Sequence, residues 1–577
     1  MNKNGFFILL AITPSMKKIL MRSVRAALQL IPSSMKSRLK RSEKLTTFYV
    51  TSVRKAGLFF DAPTTKQTQA LYTQWLSFKR DVLVSEKKAR LWQAVIFGAG
   101  QVEHTIESVK NAGATKYFVL SNHSSGFAQL LEDEHFDSTV PVLFLASGSA
   151  LAPHAVEHFL SAIANRDVGV IYCDTDEIDS TGTRSKPKFF PDWNPDLHFS
   201  TAYVQSGVMF DTSLLKHDFL FETKSAAQLL AKLATIHSNL SVYHIPLPLI
   251  HVCREESEIL EELALVKKEV SHQACVQVTC DGAFKLNKLL WENTNPLVSL
   301  IIPTKNGKAL VQACIESIRN KTSYSNYEII LIDNASDDPE SISYFEELDK
   351  LPDVRVLKYP QPFNYSAINN FGVEHAKGSL VALINNDIEV IAPEWLTYMV
   401  GHAQRENVGC VGAKLIYSDT RIQHAGVVLG YGGGAGHAHK NFPRLHTGYL
   451  NRINATSNYS AVTAACLVVK KTHFNTVNGL NEDLAVAFND VDFCLRVQAL
   501  GVRNVYCAEA ELFHHESVSR GLDISPEKAA RFNKELAYLK TTWSHIIERD
   551  PAYSPNLTLK RENFSIKTKE ELMKERG

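Results

Sequence analysis

The sequence has almost no net charge: 62 Lys and Arg against 61 Asp and Glu leave a formal +1. General nucleic-acid binders usually carry a basic excess that neutralises phosphates, so no nucleic-acid partner is expected and any phosphate recognition has to be local. Long apolar runs are also missing. The strongest one near the start covers residues 5–12, far short of the roughly 20 residues a membrane-spanning helix needs. That run is also a poor secretory signal, because its core is short and a basic segment follows in place of a cleavage site. Nine cysteines carry no zinc-like spacing, since Cys275 and Cys280 lack a matching second pair. Such usage suits a reducing compartment, and a cytoplasmic location is expected.

What is present is size. A chain of 577 residues exceeds what one hydrophobic core supports, so two large domains with terminal extensions are expected. Residues 16–44 carry nine basic side chains, from Lys17 to Lys44, against the single acid Glu43, interleaved with Ile19, Leu20, Val24, Leu28 and Leu30. They read as a basic amphipathic helix able to dock on anionic lipid, or as a solvated leader. Turn composition at residues 293–296 puts a boundary near residue 290. The expected division is a basic segment over 1–45, a first domain with a helical linker over 46–290, a second domain over 291–525, and a C-terminal helix with a loosely ordered polar tail over 526–577.

Two segments share one pattern, a buried strand, a short polar turn, then a Pro and a helix. The first runs from residue 140 through Ala146-Ser147-Gly148-Ser149 to Pro153, the second from residue 380 through Asn385-Asn386-Asp387 to Pro393. The second domain opens strand, helix, strand over residues 298–332, which predicts a parallel sheet. Ligands collect at the carboxyl ends of such strands, where residues 304–307 and 333–338 fall.

Binding a nucleoside diphosphate calls for cationic compensation, commonly a hard divalent ion on oxygen ligands. Asp387 sits in the turn leaving a buried strand, although Asn-Asn-Asp alone is an ordinary turn signal. Asp490 stands at the start of a helix, either as a cap or as a base for an acceptor hydroxyl. Asp492 and Arg496, four apart, read as a structural ion pair. His514 and His515 end an apolar segment, and a neutral imidazole there could complete a metal site, though His pairs are often structural. Residues 423–439 are rich in glycine and histidine, consistent with a mobile lid or with a plain surface loop. Phe97-Gly98-Ala99-Gly100 has a dinucleotide-loop look, but Glu103 stands where a third glycine is needed, so a tight turn is expected.

Taken in order, residues 298–306, Ile329-Ile330-Leu331-Ile332-Asp333-Asn334-Ala335-Ser336, Phe363-Asn364-Tyr365-Ser366-Ala367-Ile368-Asn369-Asn370, Asn385-Asn386-Asp387, Asn489 to Arg496 and His514-His515 resemble the inverting family-2 glycosyltransferases of GT-A fold. The resemblance implies an α/β protein with two GT-A-like, mostly parallel domains in tandem, the second catalytic and the first degenerate. It implies that Pro303, Thr304, Asn306, Asp333, Asn334, Ser336, Asn369 and Asn386 bind the nucleotide sugar. Asp387 and His514 would hold Mn or Mg, with His515 the alternate, and Asp490 would be the base. Asn385 and Asn489 depart from the family pattern, each replacing an acid. The implied partners are a nucleotide-sugar donor, such as dTDP-rhamnose or a UDP-sugar, and a glycan or lipid-linked glycan acceptor in O-antigen-like synthesis, with peripheral contact at the cytoplasmic face of the inner membrane. A noncatalytic glycan- or nucleotide-binding subunit is the alternative.

Overall fold

The computed structural model describes residues 23–24, 62–79, 91–120, 126–237, 240–252, 256–273, 275–515 and 526–576. Apart from Ser23 and Val24, the basic N-terminal segment lies outside the described residues.

The chain forms two large mixed sheets. The first contains β1 (Gln93–Phe97), β2 (Lys116–Leu120), β3 (Val142–Ala146), β4 (Ala150–Leu151), β5 (Val170–Ile178), β6 (Arg184–Lys188), β7 (Val208–Phe210) and β8 (Val242–His251). Their spatial order is β2-β1-β3-β7-β5-β8-β4, with β6 paired to β5. A helix, Glu256–Ser271, and a hairpin of β9 (Val276–Asp281) and β10 (Leu286–Trp291) lead to the second sheet.

That sheet contains β11 (Val298–Thr304), β12 (Tyr327–Asp333), β13 (Val354–Lys358), β14 (Leu380–Ile384), β15 (Ile388–Val390), β16 (Val408–Ile416) and β17 (Ile422–His424). A separate hairpin, β18 (Val427–Leu429) and β19 (Ala435–His437), interrupts it before β20 (Ser457–Tyr459), β21 (Cys466–Lys470) and β22 (Arg503–His514). The order is β13-β12-β11-β14-β21-β16-β22-β15, with β17 on β16 and β20 on β22.

The two sheets share strand order and pairing sense. β1–β2 and β11–β12 are parallel, and β3–β7 and β14–β21 antiparallel. β5–β8 and β16–β22 are parallel, and β4–β8 and β15–β22 antiparallel. The expectation of mostly parallel sheets is corrected: in the second sheet β13, β12, β11 and β14 run in one direction and β16–β22 are parallel, but β21, β15, β17 and β20 pair antiparallel with their neighbours. Residues 417–465 leave β16 and return at the same end of the sheet, so β21 has to run back antiparallel between β14 and β16.

β11 and β12 are largely apolar because helices cover both faces of the sheet. On one face Leu300 and Ile302 pack with Val311, Ile315 and Ile318 of the helix Lys308–Lys321. On the other, Ile301 and Ile332 pack with Ile368 and Val373 of the helix Tyr365–Glu374.

The expected loose tail is the clearest correction. Tyr553, Leu557, Phe564 and Ile566 are buried, and the polar residues around them are hydrogen-bond partners at the contact between the two sheets' halves. Asn556 Nδ2 donates to Asp174 Oδ2 (3.2 Å) and Pro246 O (2.8 Å), while Ser460 Oγ donates to Asp550 Oδ1 (2.6 Å). Arg452 reaches Ala552 O (2.8 Å). Polar composition here marks an interface whose buried groups need partners.

The glycine-rich stretch is likewise a packed hairpin and not a free lid. Leu429 N–H donates to Asp550 Oδ2 (2.7 Å), and a Cβ at Gly430 would stand 2.8 Å from Ile547 O. Gly98 to Gly100 form a tight turn, with the Gly100 N–H on Ser147 Oγ (2.7 Å).

Candidate functional site

β11 and β12 end in register at Thr304 and Asp333, and their loops close on one another. Asp333 Oδ1 accepts from Ser336 N–H (2.9 Å), and Ser336 Oγ accepts from Asn306 N–H (2.7 Å). Asn306 Oδ1 accepts from the Asp337 and Asp338 amides at 2.9 and 3.0 Å. Asn306 (φ 52°) and Ala335 (φ 55°) are left-handed, a conformation uncommon outside glycine and held here by the surrounding bonds. Asn386 Nδ2 donates to Thr304 Oγ1 (2.9 Å), which attaches the turn after β14 to the same group.

Pro303, Thr304, Asn306, Asp333, Ser336 and Asn386 are thus gathered at one sheet end. Asn334 is beside them, but its amide is spent on Tyr359 O (3.0 Å) and Gln361 O (2.7 Å). Asn369 stands apart: it is fully buried in the helix Tyr365–Glu374, and its Nδ2 bonds Tyr365 O one turn back (2.8 Å).

The second corner forms where β15 pairs with the end of β22, Ile388 opposite His514. This register brings His514 Nε2 to 3.1 Å from Asp387 Oδ1 and 3.2 Å from Asn385 Nδ2. His514 Nδ1 lies 2.8 Å from Gln423 Oε1 on β17. Burial pushes the Asp387 carboxyl up, but His514 outweighs it, so the group is held below the usual carboxylate value. His515 faces elsewhere, its nitrogens on Ser418 Oγ (2.7 Å) and Glu389 Oε2 (3.2 Å).

If the imidazole proton sits on Nδ1 toward Gln423, Nε2 and the buried Asp387 Oδ1, which finds no hydrogen-bond donor, are two acceptors face to face. Such a pair fits a cation or a second proton between them. Among the described residues no group of three or more His, Cys, Asp and Glu forms a metal cluster, so these two would share an ion with neutral ligands.

Asp490 opens the helix Asn489–Gln498. Its Oδ2 accepts from Ala464 N–H (3.2 Å) and its Oδ1 from Val491 N–H (2.9 Å). Burial raises its pKa above the usual aspartate value, against the opposing pull of these bonds. Ala464 also accepts from Tyr365 OH (3.0 Å), which lies 3.2 Å from Asn385 Oδ1. A short hydrogen-bond ladder therefore connects Asp490 to Asn385 and on to His514. Asp492 is fully buried between Arg496 Nε (2.8 Å) and Trp543 Nε1 (3.0 Å), the structural role expected of it.

Two roles escaped the sequence reading. Gln423 backs His514 from a strand 91 residues away, and Glu535 of the helix Pro526–Thr542 accepts from Val486 N–H (3.1 Å) and Ala487 N–H (3.0 Å), just before Asp490. Neither follows any local spacing, so only the fold reveals them.

Residues 299–462 match the family described as Glycosyl transferase family 2, and the chain carries a domain of that family. Among curated relatives, uncharacterized protein y4gI of Sinorhizobium fredii (strain NBRC 101917 / NGR234) is 41% identical over 447 residues, covering 74% of this chain and 49% of its own length. O-antigen biosynthesis protein RfbC of Myxococcus xanthus is 35% identical over 440 residues, covering 72% of this chain and 34% of its own. The chain therefore spans about half the length of the first and about a third of the second. A solved structure of GalNAc-T7 with UDP, GalNAc and Mn2+ aligns at 14% identity and a TM-score of 0.38, over 52% of this chain and 60% of that one.

Proposed function

We propose that residues 291–525 form an inverting, metal-dependent glycosyltransferase domain of GT-A type, which moves a sugar from a nucleotide-diphosphate donor to a glycan or lipid-linked glycan in O-antigen-like polysaccharide synthesis. The observation that carries the reading is the approach of Asp387 and His514 to 3.1 Å at the strand ends to which Asp490 is tied through Ala464. In this reading Pro303, Thr304, Asn306, Asp333, Asn334, Ser336 and Asn386 receive the nucleoside diphosphate, and Asn369 braces the helix behind them. Asp387 and His514 would hold a divalent cation, Mn or Mg, which would supply positive charge to offset that of the diphosphate. Asp490 takes the acceptor hydroxyl proton as that oxygen bonds to the anomeric carbon. The bond from that carbon to the diphosphate oxygen breaks in the same displacement, which inverts the configuration.

The first half is read as a degenerate repeat over 46–290. Its support is the shared strand order, with Ser149 before β4 where Asp387 precedes β15. His251 pairs with Ala150 as His514 pairs with Ile388, but its ring is taken by Asp176 (2.6 Å). A cytoplasmic protein peripheral to the inner membrane through residues 1–45 completes the proposal. Among the described residues no helix is long and apolar enough to cross a membrane.

The neutral Asn385 and Asn489 favour the second reading, a noncatalytic binding subunit. One assay separates the two: release of nucleoside diphosphate from a panel of nucleotide sugars, dTDP-rhamnose and UDP-sugars first, with acceptor glycan and with or without Mn2+ or Mg2+. Release that is metal-dependent and lost in Asp490→Asn supports catalysis. Donor binding with no release across the panel supports the subunit.

A further inference from the structure

We infer that Gln423 is a positioning residue that selects which nitrogen of His514 carries the proton, and so decides whether His514 is a cation ligand or a hydrogen-bond donor to Asp387. The inference rests on the metal-site reading above.

Three polar atoms surround one imidazole. Gln423 Oε1 is 2.8 Å from Nδ1, while Asp387 Oδ1 at 3.1 Å and Asn385 Nδ2 at 3.2 Å both face Nε2. A neutral imidazole has a single N–H to place among them. With the proton on Nδ1, that group donates to Gln423, and Nε2 receives the Asn385 amide. With the proton on Nε2, it donates to Asp387, but it then confronts the Asn385 N–H and leaves the Nδ1 lone pair facing the Gln423 oxygen. The first arrangement satisfies two contacts, the second only one.

The enclosure makes this choice matter. Gln423, His514 and Asp387 are 4%, 6% and 7% exposed, so water is poorly placed to substitute for a missing partner. The backbone of β17 is held from both sides, by its pairing with β16 and by Ile422 N–H to Phe442 O and Asn441 N–H to Ile422 O, each 2.8 Å. Gln423 therefore presents its side chain to the ring from a strand whose backbone is held, with Oε1 toward Nδ1. Removing that acceptor turns the balance toward Nε2–H on Asp387, which seals the lone pair a cation needs. Partners of this kind behind a ligating histidine fix its tautomer, and their loss costs about 10–100-fold in metal affinity.

The test uses full-length protein labelled with 15N-histidine, His514 being assigned by the resonances missing from His514→Ala. Ring 15N shifts report the tautomer, and electron paramagnetic resonance of free Mn2+ reports affinity. The wild type is expected to carry its proton on Nδ1. Gln423→Glu, which when ionised can only accept, keeps the proton on Nδ1 and binds Mn2+ at least as tightly. Gln423→Leu moves the proton to Nε2 and weakens Mn2+ binding about 10–100-fold. Retention of the Nδ1 proton in Gln423→Leu overturns the inference, as does unchanged Mn2+ affinity after the tautomer has switched. Should wild type and His514→Ala bind Mn2+ alike, the metal reading fails instead, and the 15N shifts still decide the role of Gln423.

Discussion

Asp490 is a carboxylate whose burial favours the neutral form, and this has two consequences of opposite sign. In its proposed role as base it works only when ionised, so the acid limb of kcat/KM is expected above the usual aspartate range, since a raised pKa keeps the proton on to higher pH. A pH profile checks it. For stability, a folded-state pKa above the unfolded one means that the ionised group opposes folding above the folded pKa, and that this opposition fades as pH falls through it. Asp490→Asn is therefore expected to lose transfer by about 10²–10⁴-fold with no fall in Tm at neutral pH. A clear loss of Tm would show the carboxylate to be a structural anchor. Asp387→Ala is expected to weaken Mn2+-dependent donor binding, measured by calorimetry with and without the ion, while leaving metal-free donor binding near its wild-type level.

Single elements explain why these side chains meet. The turn carrying Asp387 is held by β14 on one side and by the β15–β22 pairing on the other, whose register also delivers His514. The loop before Asp490 depends on a more distant element, since both Glu535 oxygens receive backbone N–H groups of residues 486 and 487. Glu535→Ala leaves those donors without their acceptor, at a cost of about 1–3 kcal/mol if water does not replace it. The expected pattern is a lower kcat with donor KM nearly unchanged, because Glu535 holds the loop before Asp490 and its hydrogen bonds go to residues 486 and 487, not to the loops after β11 and β12. An equal rise in KM would place the defect elsewhere. Asp492 and Arg496 show the limit of such coupling: their spacing within one helix announced an ion pair, and that is what forms.

At the scale of the molecule, the C-terminal segment ties the two halves together. Tyr553, Leu557, Phe564 and Ile566 bury side chains worth about 1.5–3 kcal/mol each, together comparable with the 5–15 kcal/mol or so by which a typical domain is stable. Removing residues 550–577 is expected to abolish a single cooperative melting transition, seen by calorimetry as split transitions or as loss of soluble protein. A truncated chain with the wild-type melting curve would refute the clamp.

The strand ends that carry the candidate site were legible in advance because their signals are local. An apolar run followed by a polar turn marks a strand end, and that is enough to place Thr304, Asp333 and Asp387 at the carboxyl edge of a sheet. Local spacing also announced the Asp492–Arg496 ion pair. It misjudged the tail and the glycine-rich hairpin, because polar residues and glycines have the same composition whether they face water or meet partners hundreds of residues away, as Asn556 meets Asp174.

By itself, then, the sequence determined the strands, the turns that leave them and the chemical types available at each. Only the tertiary structure set His514 against Asp387 and His515 against Ser418 and Glu389, turned β21 antiparallel beside β14, and put Gln423 behind the His514 imidazole. The reason is physical: strand periodicity and turn chemistry act between neighbours along the chain, whereas ring orientation, strand direction and buried hydrogen bonds depend on which distant segments come to lie side by side.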